Sequence, residues 1–400
     1  MSSHLDDKPH DKRPGRERAT EIVHAGRDPA AQFGFVNPPV YRGSTVLFKD
    51  MASLESGKAP FTYGRKGTPT MRALEDALCE LEGGYRTFLT ASGLAAVTTA
   101  LLSFARAGDH VLVVDTCYRP TRQFHDEVLA HMGVTVTFYD PMIGAGIEAL
   151  LKPNTRVIYA ESPGSQTFEV MDIPAVAAVA RKHDIWMLLD NTWATPSFFK
   201  PFDHGVDVSI HAATKYIVGH ADAMLGVMTA NERAVGQLQK GHWALGANAG
   251  SEEIYLGLRG LRTLEVRLDR HQASAMEMAE WLQGRPEVEA VLHPALPSFA
   301  GHELWKRDFT GSTGLFSIVL KERRRGRLAA MLDGLKLFGM GYSWGGYESL
   351  AVPFDPAHYR TATKPRHAGC SCIRLHIGLE AVADLKVDLE AGFRRLAGVG

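Results

Sequence analysis

A lysine set among apolar residues is the first position in this sequence that could carry chemistry. Lys215 lies in residues 208–226, VSIHAATKYIVGHADAMLG, with Ala212, Ala213, Tyr216, Ile217 and Val218 around it. Lysines normally keep their ammonium in water. Desolvation disfavours the charged form and lowers the pKa, and a neutral amine can attack a carbonyl. On this window alone, a surface lysine at the end of a strand is the simpler reading.

A second group changes the balance. Asp190 closes an apolar run, residues 185–190, and the next run, 206–210, leads into Lys215. Consecutive strands of one sheet bring such ends together. A lysine for an imine and an aspartate for a pyridinium nitrogen are the pair that pyridoxal phosphate requires. Taken alone, Asp190 reads as a helix cap or turn residue. The phosphate needs an anion site, and Gly93 and Leu94 open a helix whose first amides are free to supply one. Thr214 adds a hydroxyl beside the lysine. Tyr118, after another strand end, can stack on a flat ring, though a lone tyrosine there is more often packed in the core. Arg374 sits in the apolar run Ile373-Arg374-Leu375-His376-Ile377, where it calls for an anion. A substrate carboxylate and an internal salt bridge suit it about equally.

The elements that position these groups follow from the hydrophobic pattern. Buried strands are expected over residues 111–115, 134–139, 156–161, 185–190 and 206–210, with helices over 121–132 and 174–183 between them. Continuous apolar runs alternating with helices imply a parallel sheet covered on both faces, with ligands at the carboxyl ends of its strands. Thr68 caps a helix opened by Pro69 and stopped by Gly83-Gly84. Residues 252–283 read as one long helix. The strands 314–320 and 373–377 and the helices 326–332 and 381–396 then form an α+β unit. The expected division is a disordered tail over 1–18, an arm over 19–67, a cofactor-binding domain over 68–263 and a small domain over 264–400.

Composition sets the outer limits. The 400 residues are 45% hydrophobic and 22% charged, which is ordinary for a globular protein. A net charge of −1 gives no field for nucleic acid or an anionic membrane. No apolar run reaches the ~18 residues of a membrane helix. The first 18 residues are polar and lack the apolar core of a signal peptide. Four scattered cysteines suit a cytoplasmic protein, and Cys370 and Cys372 read as two ordinary thiols rather than metal ligands. Gly144-x-Gly146 and Gly339-x-Gly341 lack the strand-to-helix setting of a dinucleotide loop.

Several segments resemble the Cys/Met-metabolism family of fold-type I pyridoxal-phosphate enzymes, and within it the bacterial cystathionine β-lyases. They are residues 63–70 (YGRKGTPT), 161–165 (ESPGS), 190–193 (DNTW), 213–216 (ATKY), 342–350 (YSWGGYESL) and 373–380 (IRLHIGLE). The resemblance implies a mainly parallel seven-stranded sheet in a large domain, and a covalent cofactor aldimine on Lys215, which later carries protons. Asp190 would pair with the ring nitrogen, Tyr118 would stack, and Gly93, Leu94 and Thr214 would hold the phosphate. Tyr63 and Arg65 would reach the cofactor of a neighbouring subunit, with Tyr63 as a candidate proton acceptor, in a homodimer or homotetramer. Arg374, Ser343 and Trp344 would bind an amino-acid thioether. The implied reaction is α,β-elimination of L-cystathionine to L-homocysteine, pyruvate and ammonia. The chain departs from the family pattern at Ala212, where many members have serine, and at Gly164-Ser165, where γ-eliminating relatives have Asn-Pro. Rival readings are a γ-lyase or γ-synthase, a broader cysteine-S-conjugate β-lyase, and a non-catalytic regulator that has kept the fold.

Overall fold

The structure is a computed structural model that describes residues 16–398. Residues 1–15, most of the expected tail, lie outside it. Seven strands build the large sheet: β1 (Arg86–Thr90), β2 (His110–Val114), β3 (Thr135–Tyr139), β4 (Thr155–Glu161), β5 (Trp186–Asp190), β6 (Val208–Ala212) and β7 (Gly226–Ala230). Their order is β1-β7-β6-β5-β4-β2-β3. The pairings from β3 across to β6 are all parallel, and β7 runs antiparallel to both β1 and β6. The sheet is thus mainly parallel, as the apolar runs and the resemblance imply. Every residue of β2 is buried, which is why it reads as an unbroken apolar run.

A second sheet holds β8 (Val288–Leu292), β9 (Leu315–Leu320), β10 (Leu350–Phe354) and β11 (Ser371–His376), in the order β10-β11-β9-β8 and wholly antiparallel. Each sheet has its own apolar core. Trp193, just past β5, donates its indole N–H to the Leu315 carbonyl at 3.0 Å, and Ser317 donates to the Gln166 carbonyl at 2.7 Å. These bonds hold the small sheet against the rim of the large one.

Local signals explain several boundaries. Thr68 accepts the Met71 amide, Pro69 opens the Pro69–Glu82 helix, and Gly83 ends it with a left-handed φ of 74°. Met71, Leu74, Leu78 and Leu81 are all buried along its inner face. The expected helix over 252–283 is two helices, Ser251–Leu261 and Leu264–Gln283. The Gly260 carbonyl leaves the helical ladder, taking bonds from the Thr263 amide and hydroxyl and from Arg267. The helix expected over 121–132 is shorter too, Arg119–Phe124, and continues as a wider turn over His125–Leu129.

The described chain opens on a helix that packs against the large core. Arg18 opens a helix, Arg18–His24, and donates to Glu265 at 2.7 Å. Ile22 and Ala25 are buried in the large core, and Arg262 holds both their carbonyls. The exposed arm begins only after this helix.

Candidate active site

Strands β2, β4, β5 and β6 run parallel, so their carboxyl ends share one edge. Tyr118, Glu161, Asp190 and Lys215 follow from those ends. The edge is tied together locally. The Ala212 amide donates to Thr192 Oγ1 at 2.9 Å, and the Thr192 amide donates to Asp190 Oδ1 at 2.9 Å.

Lys215 is half-buried, and its Nζ donates to Ser343 Oγ at 2.8 Å. It also lies 5.3 Å from the centre of the Trp344 ring. Burial, and then the nearby Arg374 guanidinium, pull the amine down to about 8, against the opposing pull of Asp190. A lysine at this value is substantially neutral in mildly basic water.

The segment facing Lys215 comes from the small sheet's side and is held in an unusual backbone conformation. Ser343 has a φ of 98°, a region that non-glycine residues seldom occupy. This places its hydroxyl on Lys215, while its carbonyl accepts from Arg374 Nη2 at 3.2 Å. Gly345 follows with a φ of 84°, and a Cβ there would meet the Lys215 carbonyl carbon at 2.8 Å. Only glycine allows that approach. The Gly345 amide donates to His376 Nε2 at 3.0 Å. The other ring nitrogen of His376, Nδ1, donates to the Glu348 carbonyl at 3.0 Å. His376 is therefore a neutral, buried clamp on this loop, and burial holds its pKa well below the ordinary value.

Arg374 has no carboxylate paired with it among the described residues, so the internal salt bridge allowed by the sequence does not form. Burial lowers its pKa to about 10, which leaves it cationic at neutral pH. A half-buried guanidinium without an anion, beside a free amine, is suited to a substrate carboxylate.

Asp190 is 9% exposed, and burial raises its pKa; Thr192, His211 and Lys215 act the other way. A cation placed against it would restore its charge. At the helix Gly93–Phe104, Ser92 caps the Ala95 amide, so the Gly93 and Leu94 amides precede the first capped group. A Cβ on Gly93 would sit 2.3 Å from that of Ala212, so this helix start packs directly on the strand that delivers Lys215.

Other predicted residues are placed differently. Thr214 Oγ1 accepts from the Leu225 amide at 2.9 Å and donates to the Leu225 carbonyl at 3.2 Å. To donate to a phosphate it must exchange the second bond. Tyr118 is 48% exposed over the edge. Tyr63 and Arg65 line a separate cavity of about 370 Å³ with Ser44, Met71 and Asn248, and its walls include none of Lys215, Asp190 or Tyr118. Within one chain the structure does not join the arm pair to the lysine.

Sequence reasoning passed over Glu161 and His376 as site residues, although both lie in the quoted segments. Glu161 Oε2 accepts the Tyr118 amide at 2.7 Å, and Glu161 pairs in register with Asp190.

The family model for Cys/Met metabolism PLP-dependent enzymes matches residues 19–394. The chain belongs to that family. It is 46% identical over 388 residues to the cystathionine beta-lyase MetC of Escherichia coli, covering 94% of this chain and 98% of that one. It is also 42% identical over 390 residues to an L-alanine/L-glutamate racemase of Wolbachia pipientis, covering 94% and 96%. Among solved structures, MetB from Corynebacterium glutamicum superposes with a TM-score of 0.88 at 30% identity, over 96% of this chain and 100% of that one. Members of this family are PLP-dependent enzymes acting on amino acids. The site suits that cofactor: a depressed lysine, a buried aspartate lacking a full counter-charge, and helix-start amides converge on one edge. No helix among the described residues is long and apolar enough to cross a membrane.

Proposed function

We propose that this chain is a carbon–sulfur β-lyase that cleaves L-cystathionine to L-homocysteine, pyruvate and ammonia. One observation carries the reading at the level of the site. Ser343 touches Lys215 through its hydroxyl and Arg374 through its carbonyl, so a proton acceptor and a carboxylate anchor share one residue. Likeness to the cystathionine β-lyase of Escherichia coli supports scission at Cβ–S in particular.

Asp190, Lys215, Tyr118, Gly93, Leu94 and Thr214 would hold pyridoxal phosphate, with Tyr63 and Arg65 from a second copy. When bound, the cofactor supplies an electron sink for negative charge at the substrate Cα. Arg374 binds the substrate carboxylate and fixes the Cα–H bond toward Lys215. Substrate binding also cancels the repulsion between Arg374 and the lysine. The neutral Lys215 amine takes the Cα proton as general base, and Ser343 orients Nζ for it. Trp344 walls the same side of the cleft. Loss of the Cα proton and scission of the Cβ–S bond release the thiol, and water converts the remaining unsaturated amine to pyruvate and ammonia.

The division we propose is an arm over 19–67, a cofactor-binding domain over 68–263 and a small domain over 264–400; the separate apolar cluster around the small sheet supports the last of these. The arm exposes Phe33, Phe35, Leu47 and Met51, at 95, 72, 89 and 65%. Apolar side chains this exposed favour self-association, and a homotetramer with shared sites is the assembly we propose. The four free cysteines suit a cytoplasmic setting.

The deciding experiment adds L-cystathionine to purified protein and identifies the products. Pyruvate with homocysteine supports the proposal. 2-Oxobutyrate with cysteine assigns a γ-lyase instead, and conversion of L-alanine to its D-form without cystathionine cleavage assigns a racemase.

A further inference from the structure

We infer that Glu289, His367 and Cys370 form a site for a thiophilic divalent cation, with zinc as the type case. One ligand atom from each residue lies within 4.8 Å of the other two. Bonds of about 2.0–2.3 Å to a tetrahedral ion place neighbouring ligand atoms somewhat closer than that, so a small side-chain adjustment closes the set.

Three local features aim these groups. The Cys370 amide donates to the His367 carbonyl at 3.1 Å, which closes a turn with the two ligands three residues apart. Gly369 within it has a φ of 71°, and a Cβ there would meet nothing within 4 Å. Glycine is kept at this position for the turn rather than for space. Zinc-binding turns commonly hold two ligands at this spacing. The third ligand comes from the sheet. Val288 pairs with Leu320 and Ala290 with Val319, so Glu289 is the extra residue of a bulge in β8. A bulge turns a side chain out of the ladder. Ser371 also pairs with Leu320, so Cys370 and Glu289 flank the same end of β9.

The chemistry of the set suits zinc. Thiolate and carboxylate balance the dication, and the imidazole supplies a neutral nitrogen. Arg323 pairs with Glu289 through Oε2, which orients the carboxylate and leaves Oε1 for a metal. Three protein ligands leave a fourth position for water. The same segment reaches the cofactor edge: the Thr361, Ala362 and Thr363 amides all donate to Asp115, three residues before Tyr118. A bound ion would fasten the far end of this strap to the small sheet. The sequence alone shows no second Cys/His pair, because the third ligand is a glutamate brought in by the fold.

The test titrates zinc into chelator-treated holoenzyme under a non-coordinating reductant and follows binding by calorimetry. One zinc per chain is expected. Cys370→Ser and His367→Ala, each checked for wild-type cofactor content, should weaken binding more than ~10-fold, the size of loss that even an outer-sphere partner produces. Lys215→Ala should keep the zinc, which separates this site from the cofactor edge. No zinc bound to the wild type, or zinc retained unchanged in Cys370→Ser and His367→Ala, overturns the assignment. If Cys370→Ser fails to fold, His367→Ala alone decides.

Discussion

Glu161 and Asp190 end neighbouring parallel strands in direct register, so a half-buried and a buried carboxyl group sit side by side, the first of them accepting the Tyr118 amide. Burial raises both, and the Asp190 charge raises Glu161 further. Two such groups cannot both ionise cheaply. Asp190 would resolve the conflict by pairing with the cofactor's cationic ring nitrogen, leaving Glu161 as the neutral partner that accepts the Tyr118 amide. Glu161→Gln, neutral and nearly the same shape, should therefore keep kcat/KM within about threefold. Asp190→Asn should lose ~100-fold or more, because it removes one member of a buried charge pair. Steady-state kinetics on both variants decide. Equal losses in the two would show that Glu161 is ionised and shares the work of Asp190.

The Lys215 amine, pulled down to about 8, can react with a carbonyl only when neutral. Uptake of pyridoxal phosphate by the cofactor-free protein should therefore speed up as pH rises through about 8. Arg374 contributes to the downward pull. Arg374→Gln should move this midpoint to higher pH, and stopped-flow absorbance gives it directly. A midpoint unmoved in that variant would mean that the two cations do not sense each other.

Arg374 should separate substrate binding from cofactor binding. A charge-assisted bond to a carboxylate contributes about 2–3 kcal/mol, so Arg374→Ala should raise KM by ~30- to 160-fold. Cofactor content, read from visible absorbance, should not change. Arg374→Lys keeps the charge but loses the fork, and should fall between the two. A variant that loses cofactor and keeps its KM reverses the assignment.

The legible parts of this site were those written in contiguous residues. Lys215 announced itself by its apolar neighbours, and Asp190 by ending a run that the next strand parallels. What could not be read was pairing between distant segments. Glu161 is unremarkable until β4 and β5 align it with Asp190. His376 alternates with Arg374 along β11 and looks like any strand histidine, and only the return of Gly345 shows what it holds. Strands β8 and β10 are hard to recognise alone because Glu289 and Pro353 interrupt their apolar runs. The break at Gly260 depends on Arg267 and on side-chain bonds that no hydrophobic pattern encodes.

Four histidines, His110, His125, His271 and His293, are fully buried, and burial holds them at about 4, 3, 4 and 3. They stay neutral in the folded state at pH 5, while in the unfolded chain they take up protons below about 6.5. The unfolded state then binds more protons, so stability falls as pH falls from 6.5 toward 4. Each contributes about 1 kcal/mol per pH unit in that window. Calorimetry should give a Tm several degrees lower at pH 5 than at pH 7. His293→Asn should flatten the dependence, and a slope unchanged in that variant would assign the loss to other groups.

In the single chain the arm's Tyr63 and Arg65 lie in a cavity apart from Lys215. If they serve a neighbouring subunit, Arg65→Ala and Lys215→Ala each disable a site on different chains. Mixing the two variants, dissociated and reassociated, then creates hybrid dimers with one intact site: Lys215 from one chain and Arg65 from the other. Random pairing makes half the dimers hybrid, so roughly a quarter of wild-type activity should return. If Arg65 acted on its own chain, every site in the mixture would lack one of the two groups, and no activity would return. Leu47→Glu supplies the companion measurement. A charge on that exposed apolar surface should shift sedimentation toward smaller species and lower cofactor affinity with it. A variant that sediments as the wild type does, with no hybrid activity in the mixture, would remove the arm from the site altogether.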